Sequence, residues 1–137
     1  MKLVVNCDGG SRGNPGHAAA GVVLRDEMGN VLARIGKYLG ITTNNVAEYQ
    51  SLIIALEEAL KHKPESVRVI MDSELVVRQM NGEYKVKAAH LEPLFEKAKE
   101  LAEKIGNVSF ENVRRSDSYQ SEADRMVNET LDRHLSG

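Results

Sequence analysis

The feature that most constrains the fold is a change in the spacing of apolar residues along the chain. Over the first 40 residues they recur at alternate positions, as at Leu3, Val5 and Cys7, and this period of two predicts strands. From about residue 45 they recur at helical spacing, interrupted by two short strand-like segments. Three consecutive strands followed by strands that alternate with helices predict a mixed sheet, first antiparallel and then parallel.

The predicted elements follow the order βββαβααβα. Strands are predicted at 2–8, 18–25, 31–39, 66–71 and 108–113, and helices at 45–60, 72–80, 91–105 and 121–134. The glycine-rich segment 8–16 breaks both periods and predicts a loop, so Asp8 is expected to end the first strand. We therefore expect an α/β fold, a mixed five-stranded sheet with helices on both faces, that comprises residues 1–137 as a single domain.

Composition narrows the classes of function. The chain is 42% hydrophobic and 28% charged, as in soluble globular proteins. Cys7 is the one cysteine, which excludes an internal disulfide and favours a reducing compartment. No apolar run approaches the ~20 residues of a membrane span, and the start is too short for a signal peptide, so we expect a cytoplasmic protein. The net charge of −2 argues against tight non-specific binding to nucleic acid.

Four acids occupy positions that the fold does not require to be acidic: Asp8, Glu48, Asp72 and Asp124. Glu48 is the most informative, because helical spacing places it on the apolar stripe that faces the sheet, where a carboxylate is costly unless it is paired or binds metal. Asp8 and Asp72 are expected at the carboxyl ends of strands, where sites form in open α/β sheets. Clustered carboxylates need a cation, and hard oxygen ligands select Mg²⁺ or Mn²⁺.

Three of these acids also have a simpler structural explanation. Asp8 could stabilise a turn before the glycines, and Asp72 could favour a helix start. Asp124 lies three residues after Ser121, as in a capping box. Only Glu48 has no such explanation, so the hypothesis of a metal centre depends on the set of four.

Four segments in series resemble the type 1 ribonuclease H family. They are 8–16 (DGGSRGNPG), 42–48 (TTNNVAE), 72–79 (DSELVVRQ) and 122–128 (EADRMVN), and with the elements between them they span nearly the whole chain. The resemblance implies an endonuclease that hydrolyses the RNA strand of RNA–DNA hybrids and leaves 5′-phosphate and 3′-hydroxyl ends. It implies a two-metal-ion mechanism with Mg²⁺, for which Mn²⁺ can substitute.

The resemblance also assigns roles to individual residues. Asp8, Glu48, Asp72 and Asp124 match the family's metal-binding, catalytic acids. The positions that match contacts with the hybrid are Gly9, Gly10, Ser11, Asn14, Thr43, Asn44 and Asn45. Short amides and hydroxyls suit such contacts, since they can sense a 2′-hydroxyl across a shallow minor groove. We expect a monomer that needs no obligate protein partner.

The chain departs from many family members in ways that concern substrate binding. Segment 114–121 lacks the histidine that many members carry before the last acid, and Glu74 stands where a groove-reading glutamine is common. Segment 80–91 is too short for a basic helical protrusion, and no added hybrid-binding domain is expected at either end. We therefore expect a minimal form that binds hybrids weakly. The candidate phosphate contacts are five arginines, not all of which are expected to reach the hybrid: Arg12, Arg78, Arg114, Arg115 and Arg125.

Two other functions remain open from the sequence. A non-catalytic module that binds hybrids or duplexes could keep this fold, although binding alone would favour cations over four acids. A small-molecule phosphohydrolase could use Asp8 as a nucleophile, but this alternative leaves Glu48 and the segment 43–45 unexplained.

Overall fold

The sheet has the mixed architecture that the sequence predicts. The computed structural model describes residues 1–114 and 117–136. Its strands are β1 (Lys2–Arg12), β2 (Gly16–Asp26), β3 (Val31–Thr42), β4 (Ser66–Met71) and β5 (Val108–Asn112), in the spatial order β3-β2-β1-β4-β5. β2 pairs antiparallel with β1 and β3, whereas β4 pairs parallel with β1 and β5. β1 is therefore the central strand, where the antiparallel and parallel parts of the sheet meet.

Helices cover both faces of this sheet, as predicted. They are α1 (Asn44–Leu60), α2 (Glu74–Met80), α3 (Glu92–Ile105) and α4 (Ser118–Ser136). On one face, Leu3, Val5 and Cys7 of β1 join α1 and α3 in the main apolar core. On the other face, α4 packs across β1, β2 and β3 with a smaller apolar cluster around Leu131.

The prediction of a loop at 8–16 is wrong for most of that segment. β1 continues to Arg12 and β2 starts at Gly16, so only residues 13–15 form the turn, and Asp8 lies inside the strand opposite Gly21. The glycine at position 9 serves close packing: a Cβ there would lie 2.1 Å from the carbonyl oxygen of Ala47 in α1. Glycine in a strand often marks such a close approach of another backbone.

The start predicted for the last helix is also wrong. α4 begins at Ser118, and the Asp117 side chain accepts hydrogen bonds of 3.2 Å from the backbone N–H groups of Tyr119 and Gln120, as an N-cap residue does. Asp124 therefore lies in the second turn, and a capping box with Ser121 does not explain it.

Among the helices formed by residues 1–114 and 117–136, none is long and apolar enough to cross a membrane.

Candidate active site

Asp8 lies at the centre of a group of carboxyls drawn from three elements. It is only 4% exposed, and its carboxyl is in hydrogen-bond contact with those of Asp72 and Asp124. Asp72 directly follows β4, the parallel neighbour of β1, and Asp124 comes from α4. Because β1 and β4 are parallel neighbours, Asp8 within β1 lies beside Asp72 in the turn that follows β4.

Glu48 lies in the first turns of α1 and is held by two hydrogen bonds. Its Oε1 accepts from Asn44 Nδ2 at 2.8 Å, and its Oε2 accepts from Ser73 Oγ at 2.6 Å. The side chain is half-buried at the start of the apolar stripe that continues through Leu52. Ser73, which was not among the predicted site residues, thus ties Glu48 to the turn that carries Asp72; its only signal in the sequence is its position next to Asp72.

The carboxyl of Asp8 is strongly disfavoured as an anion. Burial raises the pKa of Asp8 most, and the charge of Asp72 together with hydrogen bonds to Asp72 and Asp124 raises it further, to about 9. Burial also raises the pKa of the Cys7 thiol; a hydrogen bond with Ser51 opposes this, and the charges of the neighbouring acids add to it. Cys7 is therefore a neutral core thiol, and the site holds negative charge that protons or cations must offset.

The donor set fits hard divalent cations. Carboxylate oxygens are the ligands that Mg²⁺ and Mn²⁺ take in proteins. Across residues 1–114 and 117–136, no group of three or more acidic, histidine or cysteine side chains converges as a ready ligand set for one ion. The fit of the site to such cations therefore rests on its donor atoms, the carboxylate oxygens of Asp8, Glu48, Asp72 and Asp124.

A polar groove of about 260 Å³ opens beside Asp8 and Asp124. Four of the predicted substrate-contacting residues line it: Gly9, Gly10 and Ser11 from β1 and Asn44 from α1. The Ser11 hydroxyl is buried and has no hydrogen-bond partner among the described residues. The complete lining is Asp8, Gly9, Gly10, Ser11, Arg12, Asn44, Asp124, Val127, Asn128 and Leu131.

The other predicted contacts lie around the start of α1, next to this groove. Thr43 is the N-cap residue, and its side chain accepts from the Val46 N–H at 3.3 Å. The Asn44 N–H donates to Asn14 Oδ1 at 3.1 Å, and Asn45 lies half-buried beside it in the first turn. The turn between β1 and β2 and the start of α1 thus form one continuous polar surface.

The arginines expected near the hybrid are mostly engaged with acids of the protein. Arg12 lies 2.8 Å from Asp132, Arg78 lies 2.8 Å from Glu74, and Arg125 lies 3.6 Å from Glu129. Arg114 is exposed, and Arg115 lies outside the described residues. Three of the five candidate phosphate contacts therefore take part in exposed ion pairs.

Comparison with known proteins gives the site a family context. The reverse transcriptase-like family matches residues 6–130. The structure of LC11-RNase H1 in complex with RNA/DNA hybrid is 45% identical, with a TM-score of 0.89 over 97% of this chain and 99% of that one. The structure of RNase H1 from Halobacterium salinarum is 36% identical, with a TM-score of 0.91 over 96% of this chain and 98% of that one.

A longer relative shares the same region. The bifunctional protein Rv2228c of Mycobacterium tuberculosis is 44% identical over 96% of this chain, which spans only 36% of that protein's length. Its N-terminal RNase H domain superposes with a TM-score of 0.89. With a family match over most of its length and solved relatives at 36–45% identity, this chain belongs to the type 1 ribonuclease H family.

Proposed function

We propose that this chain is an endonuclease that hydrolyses the RNA strand of RNA–DNA hybrids. The observation that carries the proposal is the contact of the buried Asp8 carboxyl with Asp72 and Asp124, beside a groove lined by hydroxyl and amide groups. A fold does not need three carboxyls in contact, and their repulsion is a cost that a cation-binding function explains. The solved complex of LC11-RNase H1 with a hybrid supports the substrate class.

Asp8, Glu48, Asp72 and Asp124 would hold two Mg²⁺ ions, which Mn²⁺ could replace. Once bound, such ions lower the pKa of water for attack on phosphorus and stabilise the leaving oxygen. Among the chain's own groups, Asn44 and Ser73 orient the Glu48 carboxylate through their hydrogen bonds. Cleavage between phosphorus and the 3′-oxygen leaves a 5′-phosphate and a 3′-hydroxyl.

The groove and the start of α1 supply the contacts by which a hybrid would be distinguished from a DNA duplex. Ser11 offers a buried hydroxyl without a partner among the described residues, and Asn44 already links Ser11 to Glu48 through its side chain. A 2′-hydroxyl of RNA both donates and accepts hydrogen bonds, so it could satisfy such a group where deoxyribose could not. Asn14, Thr43 and Asn45 would contact the sugars and phosphates further along.

We further propose that the protein acts as a cytoplasmic monomer and binds hybrids weakly. The ion pairs of Arg12, Arg78 and Arg125 support weak binding, because each pair must be broken or shared before a phosphate can be neutralised.

The test is cleavage of a hybrid whose RNA strand is labelled at either end, with Mg²⁺, Mn²⁺ or EDTA. We expect metal-dependent cuts within the RNA strand, with 5′-phosphate ends, and no cuts in the DNA strand. Binding of the hybrid without cleavage in either metal would instead favour a non-catalytic module. Turnover of p-nitrophenyl phosphate without hybrid cleavage would favour a small-molecule phosphohydrolase.

A further inference from the structure

Two buried side-chain amides join α4 to the centre of β1. Gln120 and Asn6 are both fully buried. Gln120 Oε1 accepts from Asn6 Nδ2 at 3.1 Å, and Gln120 Nε2 donates to the carbonyl oxygen of Cys7 at 3.0 Å. Asn6 and Cys7 are the two residues that precede Asp8, so this amide clamp, formed by Asn6 and Gln120, acts on the part of β1 that carries the central acid.

The clamp lies one helical turn from Asp124. Residues four apart on a helix project from the same side, so Gln120 and Asp124 both face the sheet side of α4. Asn6 and Asp8 are two apart on β1 and share a face of the sheet. The face of α4 and the face of β1 that meet at the amide pair therefore also meet at the next pair of residues, the Asp8 and Asp124 carboxyls.

Glycines in the neighbouring strands let α4 come unusually close to the sheet. Gly21 lies opposite Asp8 in β2, and a Cβ there would be 2.2 Å from the carbonyl oxygen of Ala123, the residue before Asp124. Gly36 lies opposite Gly21 in β3, and its Cβ would be 2.4 Å from Thr130 Oγ1. These two glycines allow close approach, but they have no side chains that could interlock with α4 and fix its position along the helix axis.

Directional hydrogen bonds supply what this smooth surface lacks. Asn6 Oδ1 also accepts from Arg25 Nη2 at 3.3 Å, and the Arg25 guanidinium lies 3.8 Å from the centre of the Tyr119 ring. The network thus begins on β1, passes through β2 and returns to α4 at the residue next to Gln120. It fixes α4 in depth and in register at the turn before Asp124.

We propose that Gln120, together with Asn6, is a positioning residue that sets the placement of the Asp124 carboxyl relative to Asp8. Its effect on cleavage rests on the proposed function, whereas its effect on the acids and their cation does not. Neighbours that orient metal ligands typically change metal affinity or activity by about 10–100-fold when they are removed.

The experiment compares Gln120→Met with a matched control, Leu101→Ala. Methionine keeps the length of the side chain but loses both hydrogen bonds. Leu101 is a core residue of α3, 4% exposed, whose truncation lowers stability without touching the proposed site. Mg²⁺ titration is followed by the carboxyl ¹³C resonances of the acids, and hybrid cleavage is measured in parallel below the melting temperature of both variants.

For Gln120→Met we expect the half-saturating Mg²⁺ concentration to rise and kcat to fall, each by about tenfold or more, with KM within about twofold of wild type. Leu101→Ala should match wild type in the half-saturating Mg²⁺ concentration, in kcat and in KM. Gln120→Asn keeps the amide oxygen and the amide nitrogen on a side chain that is shorter by one methylene. It replaces the methionine variant if that variant does not fold.

Equal Mg²⁺ affinity and kcat in a folded Gln120 variant and in Leu101→Ala would overturn the proposal. So would failure of both Gln120 variants to fold, because the amides would then serve the whole fold rather than the site. If the wild type binds Mg²⁺ but cuts no hybrid, the proposed function fails. The Mg²⁺ titration still tests the role of Gln120 in that case.

Discussion

The guanidinium of Arg12 lies 2.8 Å from the carboxylate of Asp132, at the rim of the groove that Arg12 helps to line. The same Nη2 lies 3.3 Å from both the backbone and the side-chain oxygens of Asn128. Arg12 is thus bound to α4 where a hybrid phosphate would compete for it. We predict that Asp132→Asn lowers KM for a hybrid by about two- to fivefold at low salt and leaves kcat unchanged, since an exposed ion pair contributes up to about 1 kcal/mol.

Glu129→Gln is the matched control for this change. It removes one negative charge from the same helix but releases Arg125, which does not line the groove. An equal fall in KM in both variants would show that net charge, rather than release of Arg12, is responsible.

Asp72 follows β4, the parallel neighbour of β1, and its carboxyl contacts that of Asp8. We predict that Asp72→Asn retains the fold but reduces hybrid cleavage in Mg²⁺ to less than about a tenth of wild type, a loss of at least ~1.4 kcal/mol in transition-state stabilisation. Circular dichroism and initial rates measure the two effects. Glu100→Gln, an exposed change on α3, should keep full activity, and an active Asp72→Asn would contradict the assignment of the site.

The raised pKa of Asp8 predicts a pH-dependent stability of the metal-free protein. The folded state holds this proton up to about pH 9, whereas the ordinary value is 3.8, so the folded state binds more protons between these values. The stabilisation is therefore complete below about pH 4 and is lost as the pH rises towards 9. Asp8→Asn stays neutral, so in EDTA its melting temperature should exceed that of wild type at pH 8.

The difference in melting temperature should narrow as the pH is lowered from 8 to 5, because folding of the wild type takes up a proton at Asp8 and this uptake costs less free energy at lower pH. A melting temperature of Asp8→Asn below that of wild type at pH 8 would contradict this account of the acids. Saturating Mg²⁺ should reverse the order of the two proteins, since the cation binds the charged wild-type site more strongly.

The two adjacent glycines of β1 should differ sharply in their tolerance of a methyl group. Gly9→Ala would place a Cβ 2.1 Å from the Ala47 carbonyl oxygen and push α1, with Glu48, away from β1. We expect a loss of about 1–3 kcal/mol in the free energy of unfolding. In Gly10→Ala the nearest neighbour is a methyl of Val127 at 3.6 Å, an ordinary contact, so stability should change by about 1 kcal/mol or less. Urea unfolding measures both, and equal losses would show that close packing of α1 is not the reason for Gly9.

The order of the elements could be predicted because it follows from local periodicity, and the mixed sheet follows from that order through general rules of sheet assembly. β4, at Ser66–Met71, was predicted to the residue, since Pro64 and Asp72 bound an apolar run. The extent of β1 could not be predicted, because Gly9 and Gly10 read locally as a turn. Only the approach of α1, which comes from another part of the chain, explains the glycine at position 9.

The parts of the site that escaped prediction are those that depend on distant partners. Gln120 and Asn6 are 114 residues apart, and nothing in the residues around either marks them as a pair. The ion pair of Arg12 with Asp132 likewise joins the two ends of the sequence, so the exposed arginine was expected to face phosphates. The roles of the four acids stay a prediction; these residues could be singled out from the sequence because each lies in a recognisable local motif.

Asp8 is carried by the central strand of the sheet, where it pairs with Gly21 of β2, rather than by a loop at the end of that strand. In hydrogen–deuterium exchange its backbone amide should therefore exchange only when the whole sheet opens, with the protection of the slowest core amides. Enzymes whose catalytic groups lie on loops can lose activity by local fraying while their cores persist. At Asp8 partial opening offers no such route, so the ¹³C resonance of its carboxyl should change at the same denaturant midpoint at which the protein unfolds.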